Sequence, residues 1–285
     1  MSKRVGLGAA ILVAALGMTG TASAADPKPT TDTAPRALSV DPWISLGIIG
    51  VGGVSWVGSE LAKSSLVATQ CRWCDRRSGV DSLLGIDEST RNALRWSTPG
   101  TAATISDVMG FGALPVLLLG GLIGASARDG AWRKIPEDLL VVVETVILAA
   151  DMNQAVKFAV QRERPLAYAL APQDKGSTAQ PSDNNLSFYS GHTSLAFSLA
   201  TSTGMVASLR GYSFAPLIWG VGLPLAAFEG YLRIAADKHY LTDVITGALF
   251  GAAFGIAVPL LHRAEVGRGV MIVPQGAGAA LVVTM

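Results

Sequence analysis

Apolar segments long enough to cross a bilayer constrain this chain more than anything else in it. A spanning helix needs about 20 largely apolar residues. Residues 105–126 supply one, containing Leu114-Pro-Val-Leu-Leu-Leu-Gly-Gly-Leu-Ile123. Residues 136–164 supply a second. Pro136 starts it, Glu137 and Asp138 suit the positive end of the helix dipole, and Pro165 stops it. Residues 192–210, 214–229 and 240–262 read as three more helices. The first of these is rich in Ser and Thr, so it is expected to face protein rather than lipid. Residues 43–61 are apolar but broken by five glycines, a weaker spanning candidate. The fold class expected is all-α: a bundle of about six apolar helices, membrane-embedded, with a short C-terminal β-hairpin.

Composition agrees. Half of the 285 residues are hydrophobic and 15% are charged, against about 25% charged in a soluble domain. The mean hydropathy is +0.42. A net charge of +1 gives no reason to expect nucleic acid.

The ends are different. Lys3 and Arg4 precede an apolar run from Val5 to Met18, and Ala22-Ser23-Ala24 offers a cleavage point. Residues 1–24 therefore read as an export signal, and 25–41, rich in Pro and Thr, as a disordered linker. The bundle is expected over 42–265. In the tail, 266–285, two apolar stretches flank Pro274-Gln-Gly-Ala-Gly278, a hairpin pattern. Cys71 and Cys74 are the only cysteines. In an exported protein a disulfide is the default reading. A zinc site would need about four ligands, with only three histidines to add. Glu144, Asp151 and Glu229 lie inside apolar helices and must face protein to be tolerated.

Three polar groupings carry chemistry. Lys157 and Arg164 are seven apart, two turns along one helix face at the end of the long helix, and can grip an anion together. Ser190-Gly191-His192 opens a helix, where free backbone N–H groups suit an anion and Gly191 permits close approach. Arg233, His239 and Asp243 complete the set. On a helix, His239 and Asp243 would lie one above the other, an imidazole with a carboxylate to orient it. Singly, each grouping is as well explained by a solvated surface, a snorkelling cation or a packing histidine.

Taken in order, Lys157, six residues, Arg164-Pro165; Ser190-Gly191-His192; and Arg233, five residues, His239, three residues, Asp243 resemble the type 2 phosphatidic acid phosphatase family. That family shares its site with bacterial class A acid phosphatases and vanadium haloperoxidases. The resemblance covers residues 136–262. Tyr189 stands where the family usually has Pro, and Leu232 where it usually has Ser. The resemblance implies an all-helical bundle and a metal-independent phosphatase without cofactor. His239 would be the nucleophile, forming a phosphohistidine; Asp243 would hold its tautomer; His192 would protonate the leaving group. Lys157, Arg164, Arg233, Ser190 and Gly191 would bind the phosphoryl oxygens. The implied partner is a phosphorylated lipid or a small phosphate ester, at a membrane. A vanadate-dependent haloperoxidase, a soluble periplasmic acid phosphatase and a non-catalytic membrane scaffold are the alternatives. Gly247, Gly251 and Gly255 continue the His239–Asp243 stripe at four-residue spacing, which predicts close packing of that helix in the bundle centre. His262 falls outside every motif. If 43–61 does not span, the site loops and the cysteines share the outer side of an inner membrane.

Overall fold

The computed structural model describes residues 38–263 apart from 69, 78 and 79, together with 270–275 and 278–283. The leader expected over 1–24 and most of the linker lie outside the described residues.

Asp41 opens the first helix, α1 (Pro42–Leu61): its carboxylate accepts the amides of Trp43 and Ile44, and Pro42 is preorganised for the first turn. A single turn, α2 (Lys63–Leu66), and a two-residue antiparallel pair, β1 (Arg76–Arg77) with β2 (Val80–Asp81), frame the cysteine loop. Cys71 and Cys74 are joined in a disulfide. The short helix α3 (Gly85–Leu94) follows. Next, α4 (Pro99–Val108) passes through a wide turn, Met109–Ala113, into α5 (Leu114–Arg128). Then come α6 (Ile135–Val160), the single turn α7 (Pro165–Tyr168), α8 (Gly191–Arg210), α9 (Ala215–Ala235) and α10 (Leu241–Leu261). After the bundle, β3 (Val270–Gln275) and β4 (Gly278–Val283) pair antiparallel; the residues of their connecting turn and the strands' side chains are outside the described set.

Among the described residues, five stretches are long and apolar enough to cross a membrane: Pro42–Leu61, Pro99–Arg128, Trp132–Val160, Ala215–Ala235 and Leu241–Leu261. Their outward faces carry Val51, Val54, Val116, Leu117, Leu217 and Leu249 exposed, the surface expected of a helical membrane protein. Helix α8 is the exception. Its Ser194, Ser198, Thr201, Ser202 and Thr203 are buried, and it lies enclosed by its neighbours. The hydroxyls of Ser198, Thr201, Ser202 and Thr203 bond back to carbonyls three or four residues earlier, so none of these four needs water.

The seam between α8 and α10 depends on glycine. A Cβ built on Gly247 would meet the carbonyl oxygen of Ser190, one on Gly251 that of Ser194, and one on Gly255 the side chain of Thr201. The buried carboxylates also face protein. Glu144 pairs with His262 at 3.2 Å, and Glu229 bonds Ser106. Asp151 lies against Gly52, where a Cβ would be 2.7 Å from its carboxylate.

Two boundaries differ from expectation. Leu38–Asp41 are not loose linker: Leu38 is buried, bridges Arg263, and Ser39 donates to the carbonyl of His262 at 2.7 Å. The long helix ends at Val160 rather than Arg164. Gln161 adopts a left-handed conformation (φ 47°, ψ 53°), and Arg164, preceding Pro165, is extended.

Candidate active site

Both ends of the bundle are tied by charge, but differently. At one end Arg210 pairs with Asp138 and Glu137. At the other, the ends of α1, α4, α6 and α9, the start of α8 and the turn before α10 surround a cavity of about 610 Å³. Lys157, Arg164, Gly191, His192, Arg233 and His239 all line it. Residues distant in sequence thus converge on one space rich in cations.

Each cation arrives by a different route. Lys157 sits in the last turn of α6. Arg164 comes from the extended segment after it, so the pair does not share a helix face. Its amide donates to Asn184 at 2.7 Å, and its guanidinium lies 3.4 Å from Asp183. Asp183 also holds Lys63 at 3.0 Å, and the neighbouring Arg164 and Lys63 cations outweigh its burial, keeping its carboxyl down at about 2. Arg233, in the last turn of α9, donates to Ser106 at 2.9 Å, and Ser106 in turn meets Glu229. Close approach at Gly191 is required: a Cβ there would be 2.8 Å from Asn153 Oδ1 and 3.2 Å from Lys157 Nζ.

Ser190 does not face the cavity. It is the N-cap of α8, fully buried, with its hydroxyl 2.8 Å from Thr193 Oγ1 and accepting the Thr193 amide. Capping claims the hydroxyl that the resemblance would give to phosphate.

His239 is not on a helix. It sits in the turn between α9 and α10, and Tyr240 is the N-cap of α10. The turn passes through Asp237 in a left-handed conformation (φ 57°), which Asp tolerates better than most residues. Arg91 clamps Asp237 with two bonds of 2.6 and 2.7 Å, and Arg95 adds a third at 3.1 Å. The expected stacking of His239 over Asp243 is therefore replaced by another arrangement. Asp243 Oδ2 is 3.8 Å from His239 Nδ1, beyond a hydrogen bond. The nearer acceptor is the carbonyl of Ser187, at 2.7 Å. Asp243 instead caps α10, accepting the Tyr240 amide at 3.0 Å, and takes the Ser187 hydroxyl at 2.5 Å and Arg162 at 2.8 Å.

His239 is 2% exposed. Burial, reinforced by Arg164, Arg233 and Lys157, holds its pKa well below the usual value for histidine. The ring is neutral at pH 7, with Nδ1 donating to a carbonyl and Nε2 carrying the lone pair. His192, at the start of α8, bonds Asp107 through Nε2 at 2.9 Å and rests edge-on against Phe111.

Several site residues escaped the sequence reading. Lys238 lines the cavity beside the nucleophile candidate; its pKa is pushed down by burial, then by Arg164 and Arg233. Asp107 reaches both His192 and, at 3.5 Å, Arg233. Asn153 donates to the carbonyl of Tyr189 at 2.8 Å and holds the approach to α8. Among the described residues, no group of three His, Cys, Asp or Glu side chains could hold a metal ion.

The PAP2 superfamily pattern matches residues 138–266. Phospholipid phosphatase 2 of Bos taurus is 27% identical over 138 residues, 40% of this chain and 48% of that protein. The Rattus norvegicus phospholipid phosphatase 2 is 26% identical over 135 residues, 39% of this chain and 49% of that protein. The chain thus spans about half the length of the curated relatives it matches. A transmembrane PAP2-type phosphatidylglycerolphosphate phosphatase from Bacillus subtilis, solved by crystallography, is 20% identical. The match covers 73% of this chain and 94% of that one, with a TM-score of 0.42.

Proposed function

We propose that this protein hydrolyses a lipid phosphate through a phosphohistidine on His239. The observation that carries the reading is a buried, neutral imidazole facing one cavity with Lys157, Arg164 and Arg233. A phosphoryl group bound there is surrounded by fixed cations. Transfer of such a group depends mainly on positioning and charge stabilisation. His239 Nε2 forms the N–P bond as the bond to the leaving oxygen breaks. His192 protonates that oxygen. Water then attacks phosphorus, with His192 acting as base, and releases phosphate. Lys238 adds a cation beside the reacting group.

A lipid substrate fits the surroundings. Trp56, Ala103, Phe111 and Ala150 line the same cavity from helices with apolar outer faces. The phospholipid phosphatases among the relatives point the same way. The test is hydrolysis by purified protein of phosphatidate, a polyprenyl diphosphate, phosphatidylglycerol phosphate and a soluble aryl phosphate, each with and without vanadate and EDTA. Vanadate resembles five-coordinate phosphorus, so competitive inhibition is expected, with activity intact in EDTA. Turnover of the aryl phosphate alone would make this a soluble-ester phosphatase. Halide oxidation with added vanadate would favour the haloperoxidase reading.

The pH dependence follows from His239. A nucleophilic imidazole must be neutral, and its pKa is depressed by burial and by the neighbouring cations. Activity is then lost only as pH falls through that depressed value. On an aryl phosphate with a good leaving group, kcat is expected to hold as pH falls from 7 through about 6.5. An acid limb near 6.5, the ordinary histidine value, would mean that His239 is neither buried nor surrounded by cations in the working enzyme.

Orientation is also open to proposal. Helix α1 starts beside His262 and Arg263 and ends at the cavity with Trp56 and Glu60. It runs from one end of the bundle to the other, which favours counting it among the crossings. Leu38 and the site lie at opposite ends. A cleaved export signal and an outward-facing site therefore exclude each other. The disulfide near the site favours an outward site, with Leu38 and Arg263 inside an inner membrane and the leader uncleaved. A fluorescent protein fused after Met285 is expected to fold and shine in the cytoplasm, and the purified chain to retain Met1. An exported C-terminus would reverse the orientation.

A further inference from the structure

We propose that Arg162 and Ser187 are positioning residues for the nucleophile: they, rather than a direct contact from Asp243, fix which ring nitrogen of His239 carries the proton. The inference rests on the reading of His239 as the nucleophile.

The geometry runs through four residues. The Ser187 carbonyl lies 2.7 Å from His239 Nδ1, whereas Asp243 is 3.8 Å away. A carbonyl oxygen only accepts, so Nδ1 must bear the hydrogen and Nε2 is left free to attack. The position of that carbonyl therefore decides whether the nucleophile is in its reactive tautomer.

Ser187 is held from both sides by Arg162. Its amide donates to the Arg162 carbonyl at 2.9 Å. Its hydroxyl donates to Asp243 Oδ2 at 2.5 Å, and the other oxygen of Asp243 accepts Arg162 Nη1 at 2.8 Å. Arg162 has no freedom to drift. It is completely buried, with Nε on Asp75 at 3.2 Å and Nη2 on Asp87 at 2.9 Å. Nη1 also reaches Thr242 at 2.8 Å. The guanidinium is sandwiched between the rings of Trp73 and Tyr240, 4.5 and 4.2 Å from their centroids. Even the backbone on either side is pinned, since Trp73 donates to Gln161 and Glu163 donates to Trp73.

One cation facing three buried carboxylates is a costly way to hold helices together, because apolar residues of similar volume serve packing as well or better. What the cluster supplies that apolar packing would not is direction. It aims one hydroxyl and one carbonyl at the back of the imidazole. It also leaves negative charge behind the ring. When Nε2 bonds to phosphorus, the ring keeps the Nδ1 hydrogen and gains positive charge; the Ser187 carbonyl and the Asp243 carboxylate both face that charge.

The test is rapid-quench measurement of phosphohistidine formation in wild type, Ser187→Ala, Ser187→Thr and Arg162→Lys. Ser187→Ala keeps the carbonyl but frees it from Asp243. A misplacement of the reacting group by about 1 Å is worth roughly 100-fold in rate. Ser187→Ala and Arg162→Lys are expected to slow phosphorylation by roughly 10- to 100-fold. KM and melting temperature are expected to stay close to wild type for Ser187→Ala, and Ser187→Thr to recover most of the rate. A purely structural role would lower melting temperature and binding together. Wild-type phosphorylation in Ser187→Ala overturns the inference while leaving the nucleophile in place. Absence of phosphohistidine in wild type overturns the nucleophile reading and this one with it. If Arg162→Lys fails to fold, the two Ser187 variants decide.

Discussion

His239→Ala is expected to yield no phosphoenzyme and no measurable turnover with any substrate. Removing the nucleophile of a covalent mechanism costs on the order of 10⁶-fold in kcat where it has been dissected. No other described side chain lining the cavity combines a neutral imidazole with convergence of Lys157, Arg164 and Arg233 except His192. His192 is distinguished by its partner: its Nε2 is bonded to Asp107, a group suited to holding a proton rather than baring a lone pair. His192→Ala is therefore expected to fail differently. Proton donation matters most when the leaving group is a poor one. The loss should be large on an alkyl phosphate and small on an aryl phosphate whose leaving group departs unaided. Trapping the phosphoenzyme with both substrates separates the two roles. Phosphohistidine in His239→Ala, or equal impairment of His192→Ala on both substrates, would overturn the assignment.

The site was legible in sequence as a set of residues and illegible as a geometry. Lys157, Arg164, Gly191, His192, Arg233 and His239 were named through the motif resemblance, and all line one cavity. Spacing on an unbroken helix, however, gave the wrong reason for their convergence. Gln161 takes a left-handed conformation that no residue type demands there, so the break before Arg164 had no local signal beyond Pro165. Similarly, Tyr240 caps α10, which leaves His239 outside the helix and turns Asp243 into a capping carboxylate. Four-residue spacing cannot say which of two residues precedes the first turn. Asp107 lies 85 residues before His192 and meets it only because α4 packs against α9 with its end beside the start of α8; nothing in its neighbourhood marks it. Arg162 stands two residues before Arg164 and reads as one more basic residue until its three carboxylates are seen together. The helices were easier. Their apolar character is a property of each segment alone, and the glycine stripe of α10 was visible because small residues at four-residue spacing have one common use.

That stripe sets the second large effect. Gly251→Val is expected to destabilise the bundle and remove activity together. A Cβ at Gly251 would fall 3.0 Å from the Ser194 Cα and closer still to its carbonyl oxygen. These are backbone atoms of a buried helix, so no side chain can swing aside. Helix α8 or α10 must move, and overpacking of this kind costs typically about 1–3 kcal/mol and occasionally more. Movement of α8 carries His192, two residues before Ser194, away from the cavity; movement of α10 carries the Asp243 cap and the turn that holds His239. Stability and catalysis therefore fall from one cause. Gly120→Ala and Gly124→Ala, on α5, provide the contrast, since nothing lies within 4 Å of a Cβ at either position. Each exchanges a flexible residue for the best helix former, so melting temperature in detergent is expected to stay level or rise. Thermal unfolding and turnover measured side by side on the three variants decide the matter. Gly251→Val with wild-type stability would mean that α8 and α10 are packed less closely than their glycines imply, and that His192 and His239 are not held by that seam.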